Sequence, residues 1–394
     1  MIAIFLSPIY ILINIYIVKW LIKWTEACSN IFKNKIVRYS IVIIYVFFAS
    51  SFVVGFLLPY RTIKVIGNYW LGVVQFIILT VIIADLIRKI LIKTKLIRNE
   101  IIHSKRTFII AGFLCLIIVS SLSTYGVVHS KKIINKNYNI TINKKVENEK
   151  SMKISLISDL HLGYNTTLSH VKNMVSKINK NNSDLVVIAG DIFDNNYDAI
   201  NNPKAIISEL KKIKSKYGVY AVYGNHDIEE PILAGFTFNW KNNKSYSNPK
   251  MEEFLNNSNI KLLRDDVTLI SDKYYLIGRL DYHKYGLEVE KRKTIEELLE
   301  NVDKTKPIFV LDHEPYELEE LSNNGVDLDL SGHTHNGQMF PSNIFIKLIW
   351  KNAHGLLKVN NMYSVVTSGI GVYGPNMRVG TTAEVANINI KFKE

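Results

Sequence analysis

Acidic side chains are scarce in the first 150 residues of this chain, which hold 5 Asp and Glu against 20 Lys and Arg, whereas the remainder holds 30 against 28. The net charge of +13 is therefore +15 in the first part and −2 in the second. A nucleic-acid binder needs its basic surface on the binding domain, so the slightly acidic second part counts against nucleic acid as a partner. Cysteine is scarcer still. Only Cys28 and Cys115 occur, both in the first part, so the second part has no disulfide framework and is compatible with either compartment. No internal repeat is present.

Long apolar runs are abundant in the first part. Four uncharged stretches, residues 1–18, 40–60, 65–84 and 107–128, approach or exceed the roughly 20 residues needed to cross a bilayer. The first contains Pro8 and lacks the basic start and small-residue cleavage site of a removed signal, so it reads as a retained span. The expectation is an all-α membrane domain of four transmembrane helices over residues 1–128. Lys19, Lys23, Lys33, Lys35 and Arg38 come after the first stretch, only Arg61 and Lys64 after the second, and seven Lys and Arg from Arg88 to Arg106 after the third. Under the positive-inside rule this alternation makes the protein multi-pass in the cell membrane, with the part beyond residue 128 extracytoplasmic. Lys131, Lys132 and Lys136 oppose that orientation only mildly, because long domains translocate largely regardless of charge.

Residues 129–151 are rich in Lys and Asn and read as a juxtamembrane linker, in which residues 138–142 alternate enough to form a first edge strand. Beyond it, residues 152–394 alternate strand-like runs (154–157, 185–189, 219–223, 308–311, 328–330) with helical ones (168–179, 203–216, 294–302). Short β-type segments at 274–277, 362–367 and 384–390 suggest a second half more antiparallel than the first. The implied fold class is α/β, two packed sheets flanked by helices. Two aromatic-rich stretches, residues 228–250 and 340–358, fit no core element; either they pack as irregular loops or, through residues 236–240 and 345–350, they form an apolar lip facing a lipid-like substrate or the bilayer surface.

Each of the five main strand-like runs ends in a polar cluster: Asp159 and His161, Gly190 and Asp191, Asn225 with His226 and Asp227, Asp312 and His313, then His333 and His335. Open α/β sheets place their sites at such strand ends. Five of the ten histidines fall within these clusters, while His103, His129, His170, His283 and His354 lie outside them. A lone Asp there is usually a turn or cap, and a lone His an ordinary hydrogen-bonded group. Their conjunction points to metal. A pair of divalent ions about 3.5–4 Å apart needs one shared ligand, and Asp191 is the candidate bridge because Gly190 lets the backbone turn tightly beneath it. Asp159 and His161, two apart on an extended segment, can grip one ion together; Asn225 offers a carbonyl oxygen, and His313, His333 and His335 offer imidazoles.

The ordered string Asp159-Leu160-His161, Gly190-Asp191-Ile192-Phe193-Asp194, Gly224-Asn225-His226-Asp227, His313 and Gly332-His333-Thr334-His335 resembles the calcineurin-like metallophosphoesterase superfamily over essentially all of residues 152–394. Residues 332–341, residues 368–371, Arg378 and Glu384 are further similar to its membrane-associated bacterial branch, that of the YkuE and YaeI phosphoesterases, although Asn336 stands where that branch commonly has a glycine. The resemblance implies one metal held by Asp159, His161, Asp191 and His335 and another held by Asp191, Asn225, His313 and His333. It leaves His226 as a non-ligand imidazole that stabilises charge or protonates the leaving oxygen, with Asp227 fixing its orientation.

The implied activity is phosphoric ester hydrolysis, by attack on phosphorus of a hydroxide that two cations activate, without a covalent phosphoenzyme. Mn, Zn and Fe all suit the donor set. The expected substrate is a phosphodiester or phosphomonoester in or near the membrane, with lipid-linked pyrophosphates of the UDP-diacylglucosamine class among the possibilities. A nuclease is disfavoured by the acidic balance, and a noncatalytic membrane sensor by the presence of every ligand.

Overall fold

A computed structural model describes residues 2–58, 60–233, 236–237, 248–285 and 291–393. The chain forms two compact units: Met1–Val128 with Pro231–Asn239 and Gly374–Met377, and His129–Glu230 with Trp240–Tyr373 and Arg378–Glu394.

The first unit is helical, with α1 (Ile2–Cys28), α2 (Lys35–Leu57), α3 (Arg61–Thr94), α4 (Asn99–Ile102) and α5 (Lys105–His129). Three of these, α2, α3 and α5, are long and apolar enough to cross a membrane among the described residues, where the sequence led us to expect four. The described part of α1 dilutes its apolar run with Asn14, Lys19 and Lys23. Polar groups inside an apolar bundle need partners from neighbouring helices. The Tyr45 hydroxyl donates to Asn14 Oδ1 at 2.7 Å, and Trp70 Nε1 donates to the Tyr10 hydroxyl at 2.9 Å. Tyr10 in turn donates to the Ala49 carbonyl, so α1, α2 and α3 are tied together.

The second unit begins with β1 (Ile133–Lys145) and β2 (Ser151–Ile157), followed by α6 (Leu168–Asn181), β3 (Leu185–Ala189), α7 (Pro203–Leu210) and β4 (Val219–Val222). A short hairpin, β5 (Ile232–Leu233) with β6 (Phe236–Thr237), belongs to the first unit. Then come α8 (Pro249–Asn257), β7 (Ile260–Leu262), β8 (Asp266–Ile270), β9 (Tyr274–Gly278), α9 (Ile295–Leu299), β10 (Ile308–Leu311), α10 (Leu318–Asn323), β11 (Leu328–Ser331), α11 (Ser342–Ile349), β12 (Gly355–Val359), β13 (Met362–Val366) and β14 (Ala383–Lys393).

Two six-stranded sheets result, ordered β1-β14-β2-β3-β4-β7 and β12-β13-β11-β10-β9-β8. Leu156, Val187, Phe309, Leu330, Val365 and Ile388 fill the space between them. The outer face of the first sheet packs on α6, α7 and α8 through Val171, Met174, Ile206 and Phe254, and that of the second on α9 and α10 through Leu298 and Leu321. Strands buried on both faces read as unbroken apolar runs, which is why β3 and β10 are Val, Ile, Leu, Ala and Phe throughout.

Two expectations are corrected and one is met. The expected edge strand at residues 138–142 is present but longer, so most of residues 129–151 is not a linker: β1 lies at the sheet edge and pairs in parallel with β14 from Ile133 to Lys145, with Tyr138, Ile140 and Ile142 entering the core. The second half is the more antiparallel, as expected: β2, β3, β4 and β7 pair with one another only in parallel, whereas the antiparallel ladders are β14 with β2, β8 with β9 and β12 with β13. Helix α7 stops at Leu210 and not at residue 216, because Asn179 of α6 binds the Lys212 carbonyl and the Lys214 N–H, both at 2.8 Å, and so competes with the helical pattern.

One loop ties the end of β13 to the end of β2. The N–H groups of Ile370 and Gly371 donate to the carbonyls of Ser158 and Asp159 at 2.9 and 2.7 Å. A Cβ on Gly371 would sit 2.4 Å from the Leu160 carbonyl oxygen, against backbone that cannot swing aside. Gly371→Ala should therefore destabilise the second unit by about 1–3 kcal/mol, the usual cost of overpacking, seen as a lower unfolding midpoint of the solubilised chain. An unchanged midpoint would show that this loop does not brace β2.

Candidate metal centre

The ligand-bearing residues lie just past the C-terminal ends of parallel strands from both sheets: Asp159 and His161 after β2, Asp191 after β3, Asn225 after β4, His313 after β10, His333 and His335 after β11. The backbone turns sharply to bring them together. Asp159, His161, Asp191, His333 and His335 all have positive φ, between 44° and 68°, a region that residues with a Cβ seldom adopt. Gly190, at φ +75°, has no room for a Cβ, which would lie 2.5 Å from His313 Nδ1.

Two donor sets converge. In the first, His161 Nε2 lies 3.1 Å from His335 Nε2, which is 3.3 Å from Asp159 Oδ1. In the second, His333 Nδ1 lies 3.0 Å from Asn225 Oδ1 and 3.2 Å from His313 Nε2. Donors roughly 2.1 Å from one ion, at tetrahedral or octahedral angles, stand about 3.0–3.4 Å apart, so both sets have the spacing of a coordination sphere. Asp191 Oδ2 faces both, 3.7 Å from His161 Nε2 and 3.3 Å from His313 Nε2. Asp159 Oδ1 is buried without a hydrogen-bond partner, a costly state for a carboxylate oxygen that a cation would relieve. The residues present thus fit a pair of divalent ions.

The surroundings aim these donors. His313 Nδ1 lies 2.7 Å from the Ala189 carbonyl, which fixes its proton there and leaves Nε2 free to coordinate. Asp194 Oδ1 stands 3.6 Å from His161 Nδ1, a longer contact of the same kind. Asp191 Oδ1 accepts the His226 N–H at 2.8 Å. Burial pushes Asp191 up and His313 down, yet their mutual attraction outweighs it, holding the carboxylate well below its usual range and the imidazole well above. Burial pushes His333 down to about 3 and His226 to about 4.

Residues 152–337 match the calcineurin-like phosphoesterase family. The chain carries a calcineurin-like metallophosphoesterase domain. It is 31% identical over 291 residues to a Danio rerio transmembrane protein with metallophosphoesterase domain, covering 71% of this chain and 62% of that one. A Helicobacter pylori metallophosphoesterase is 30% identical over 61% of this chain and 60% of its own length, and the Bacillus subtilis metallophosphoesterase YkuE 26% identical over 61% and 79%. The chain thus spans about three fifths of the first two relatives.

Within this metallophosphoesterase domain the expected role of Asp227 needs correction. Its carboxylate does not hold His226: one oxygen accepts the Phe193 N–H and the other the Gly224 N–H, each at 2.7 Å, so it braces the loops after β3 and β4. Asn195 holds His226 instead, through its Oδ1 on the ring Nδ1. Sequence reasoning missed Asn195, and a lone Asn after Asp194 carries no signal that could have found it. Tyr373, whose ring centre is 4.3 Å from that of His226, was missed as well. Residues 238–240 of the first proposed apolar lip lie outside the described residues, as do the side chains of Phe236 and Thr237. The second lip is not an irregular loop: residues 345–349 belong to helix α11.

Because the Asp191 carboxylate raises the proton affinity of His313 in the absence of metal, a dication must compete with that proton. Metal affinity should therefore rise with pH through neutrality and binding should release protons, measurable by calorimetry in buffers of different ionisation enthalpy. Asp191→Ala should weaken both sites at once in the same titration. Loss of a single site there would remove Asp191 as the shared ligand.

Proposed function

We propose that this protein is a membrane-anchored phosphoesterase with a dinuclear metal centre, acting at the extracytoplasmic face on a phosphodiester or phosphomonoester that is itself lipid-linked. The observation that carries the reading is Asp191, whose single Oδ2 faces both donor sets. Asp159, His161, Asp191 and His335 would hold one ion, and Asp191, Asn225, His313 and His333 the other. Bound there, two divalent cations would lower the pKa of a water and offset the charge of the reacting phosphate.

The chain's own residues supply the rest. Asn225, His226 and His333 are the half-exposed members of the cluster, whereas Asp159, His161, Asp191 and His313 are buried, so substrate approaches on the former side. The Asn195 amide nitrogen donates to the Ile228 carbonyl at 3.1 Å, which turns its oxygen towards His226 and places that ring's proton on Nδ1. The neutral ring then carries no proton on Nε2, so that nitrogen would take a proton from a water and pass it to the leaving oxygen. Tyr373 covers one face of the ring and keeps it from swinging.

Hydrolysis of an artificial phosphodiester or phosphomonoester by the purified chain should vanish on chelation and return with Mn or Zn. His226→Ala should keep its metal yet lose on the order of 10² to 10⁴ in rate. Full metal occupancy without hydrolysis of any ester would return the protein to the class of noncatalytic sensors.

Orientation rests on the basic residues around the start of α2 (Lys33, Lys35 and Arg38) and from the end of α3 to the start of α5 (Arg88 to Arg106), against only Arg61 and Lys64 at the start of α3. This alternation puts the C-terminal end of α5 outside whether or not α1 spans, so the number of spans does not alter it. Protease added to intact, wall-stripped cells should release fragments of the second unit. Their protection would reverse the topology.

A further inference from the structure

Helix α11 has no buried residue, and its apolar side chains form one continuous ridge. Ile344 is 54% exposed, Phe345 58%, Leu348 82% and Ile349 72%. Positions four apart lie on one helical face, so these four make a single stripe, with Phe340 exposed just before it. The other exposed large apolar residues described in the second unit, Val267, Leu269, Tyr282 and Leu356, are each below 40% and do not form such a ridge. Immediately after the helix the chain turns inward: Trp350 packs its ring 4.5 Å from Tyr316 and 5.2 Å from His333. The ridge is thus joined directly to a side chain of the second donor set, on the half-exposed side of the cluster.

We infer that α11 lies in the headgroup boundary of a lipid bilayer and opens the metal centre onto phosphate carried by lipid. The inference rests on the phosphoesterase reading for its purpose, but not for its test. A bilayer is the occupant because the same chain carries three helices able to span one, and because α5 ends at His129, just before β1 begins at Ile133. That short connection confines the second unit to the membrane surface. Lys347 is exposed on the helix and suits an anionic headgroup layer. An interfacial helix of this kind buries its apolar face about 5–10 Å into the boundary between headgroups and acyl chains.

The two native cysteines allow a direct test on the full chain. With Cys28→Ser and Cys115→Ser as background, Leu348→Cys carries a fluorophore at the tip of the ridge, and Ser176→Cys on the exposed face of α6 carries the control. The protein is placed in nanodiscs of phosphatidylglycerol and phosphatidylcholine, and each probe is quenched either by a doxyl-labelled lipid or by aqueous iodide. The probe at 348 should be quenched several-fold more strongly by the lipid and several-fold more weakly by iodide than the probe at 176. Iodide reaching both probes equally would overturn the inference. So would shielding from iodide without lipid quenching, since a second copy or another protein would then cover the helix. The readout needs no turnover, so failure of docking shows in the quenching and failure of the hydrolase reading shows in the ester assay.

Discussion

A carboxylate buried between two sheets has to be compensated by positive charge, and Asp191 is where that requirement is met. Its two oxygens do different work. Oδ1 accepts the N–H of His226 and so fixes the loop after β4, while Oδ2 faces imidazoles delivered by β2 of one sheet and β10 of the other. The packing of the two sheets is therefore expressed at one atom. A relative shift between them would separate His313 from His161 and leave Asp191 buried without a counter-charge, a far larger penalty than the loss of a few apolar contacts.

The backbone strain at the site arises from the same demand. A strand delivers side chains alternately to opposite faces, so a strand end left extended could not aim neighbouring donors at one point. Left-handed turns at Asp159, His161, Asp191, His333 and His335 solve this, at a cost of order 1–3 kcal/mol each. Rigid surroundings keep them there. Asp227 fastens the loops after β3 and β4, and Arg378, fully buried, donates to the carbonyls of Ser368 and Gly371 at 2.8 and 2.7 Å and so holds the loop behind Asp159.

The features legible in the sequence were those that depend on local order. Apolar runs ending in Asp, Asn or His marked most of the central strands and the donors after them, because a doubly buried strand is largely apolar and a ligand must leave it at the end; β11 is the exception, its buried Asp329 accepting from Ser331 and Ser364. Long-range contacts were harder to read. The segment after residue 128 read as a linker with only a short edge strand at residues 138–142 because its exposed face is Lys and Asn, and its full extent, Ile133 to Lys145, is set by β14 some 250 residues later. The partner of His226 was misassigned for the same reason. Adjacency in sequence suggested Asp227, whereas the adjacent carboxylate is turned inward to backbone N–H groups and the orienting amide comes from the loop after β3.

The uneven charge of the chain has a physical reading that needs no basic partner. Nearly all the excess of Lys and Arg lies in and around the helical unit, at the ends and connections of helices whose faces are apolar, and those are the positions where cationic residues set membrane orientation. The metal-binding unit has the opposite need. Two dications held there, as proposed, would be offset in part by the buried carboxylates of Asp159 and Asp191. On the proposed topology, charge in the first unit is a matter of orientation in a bilayer and in the second a matter of local compensation, and the sum of the two describes neither.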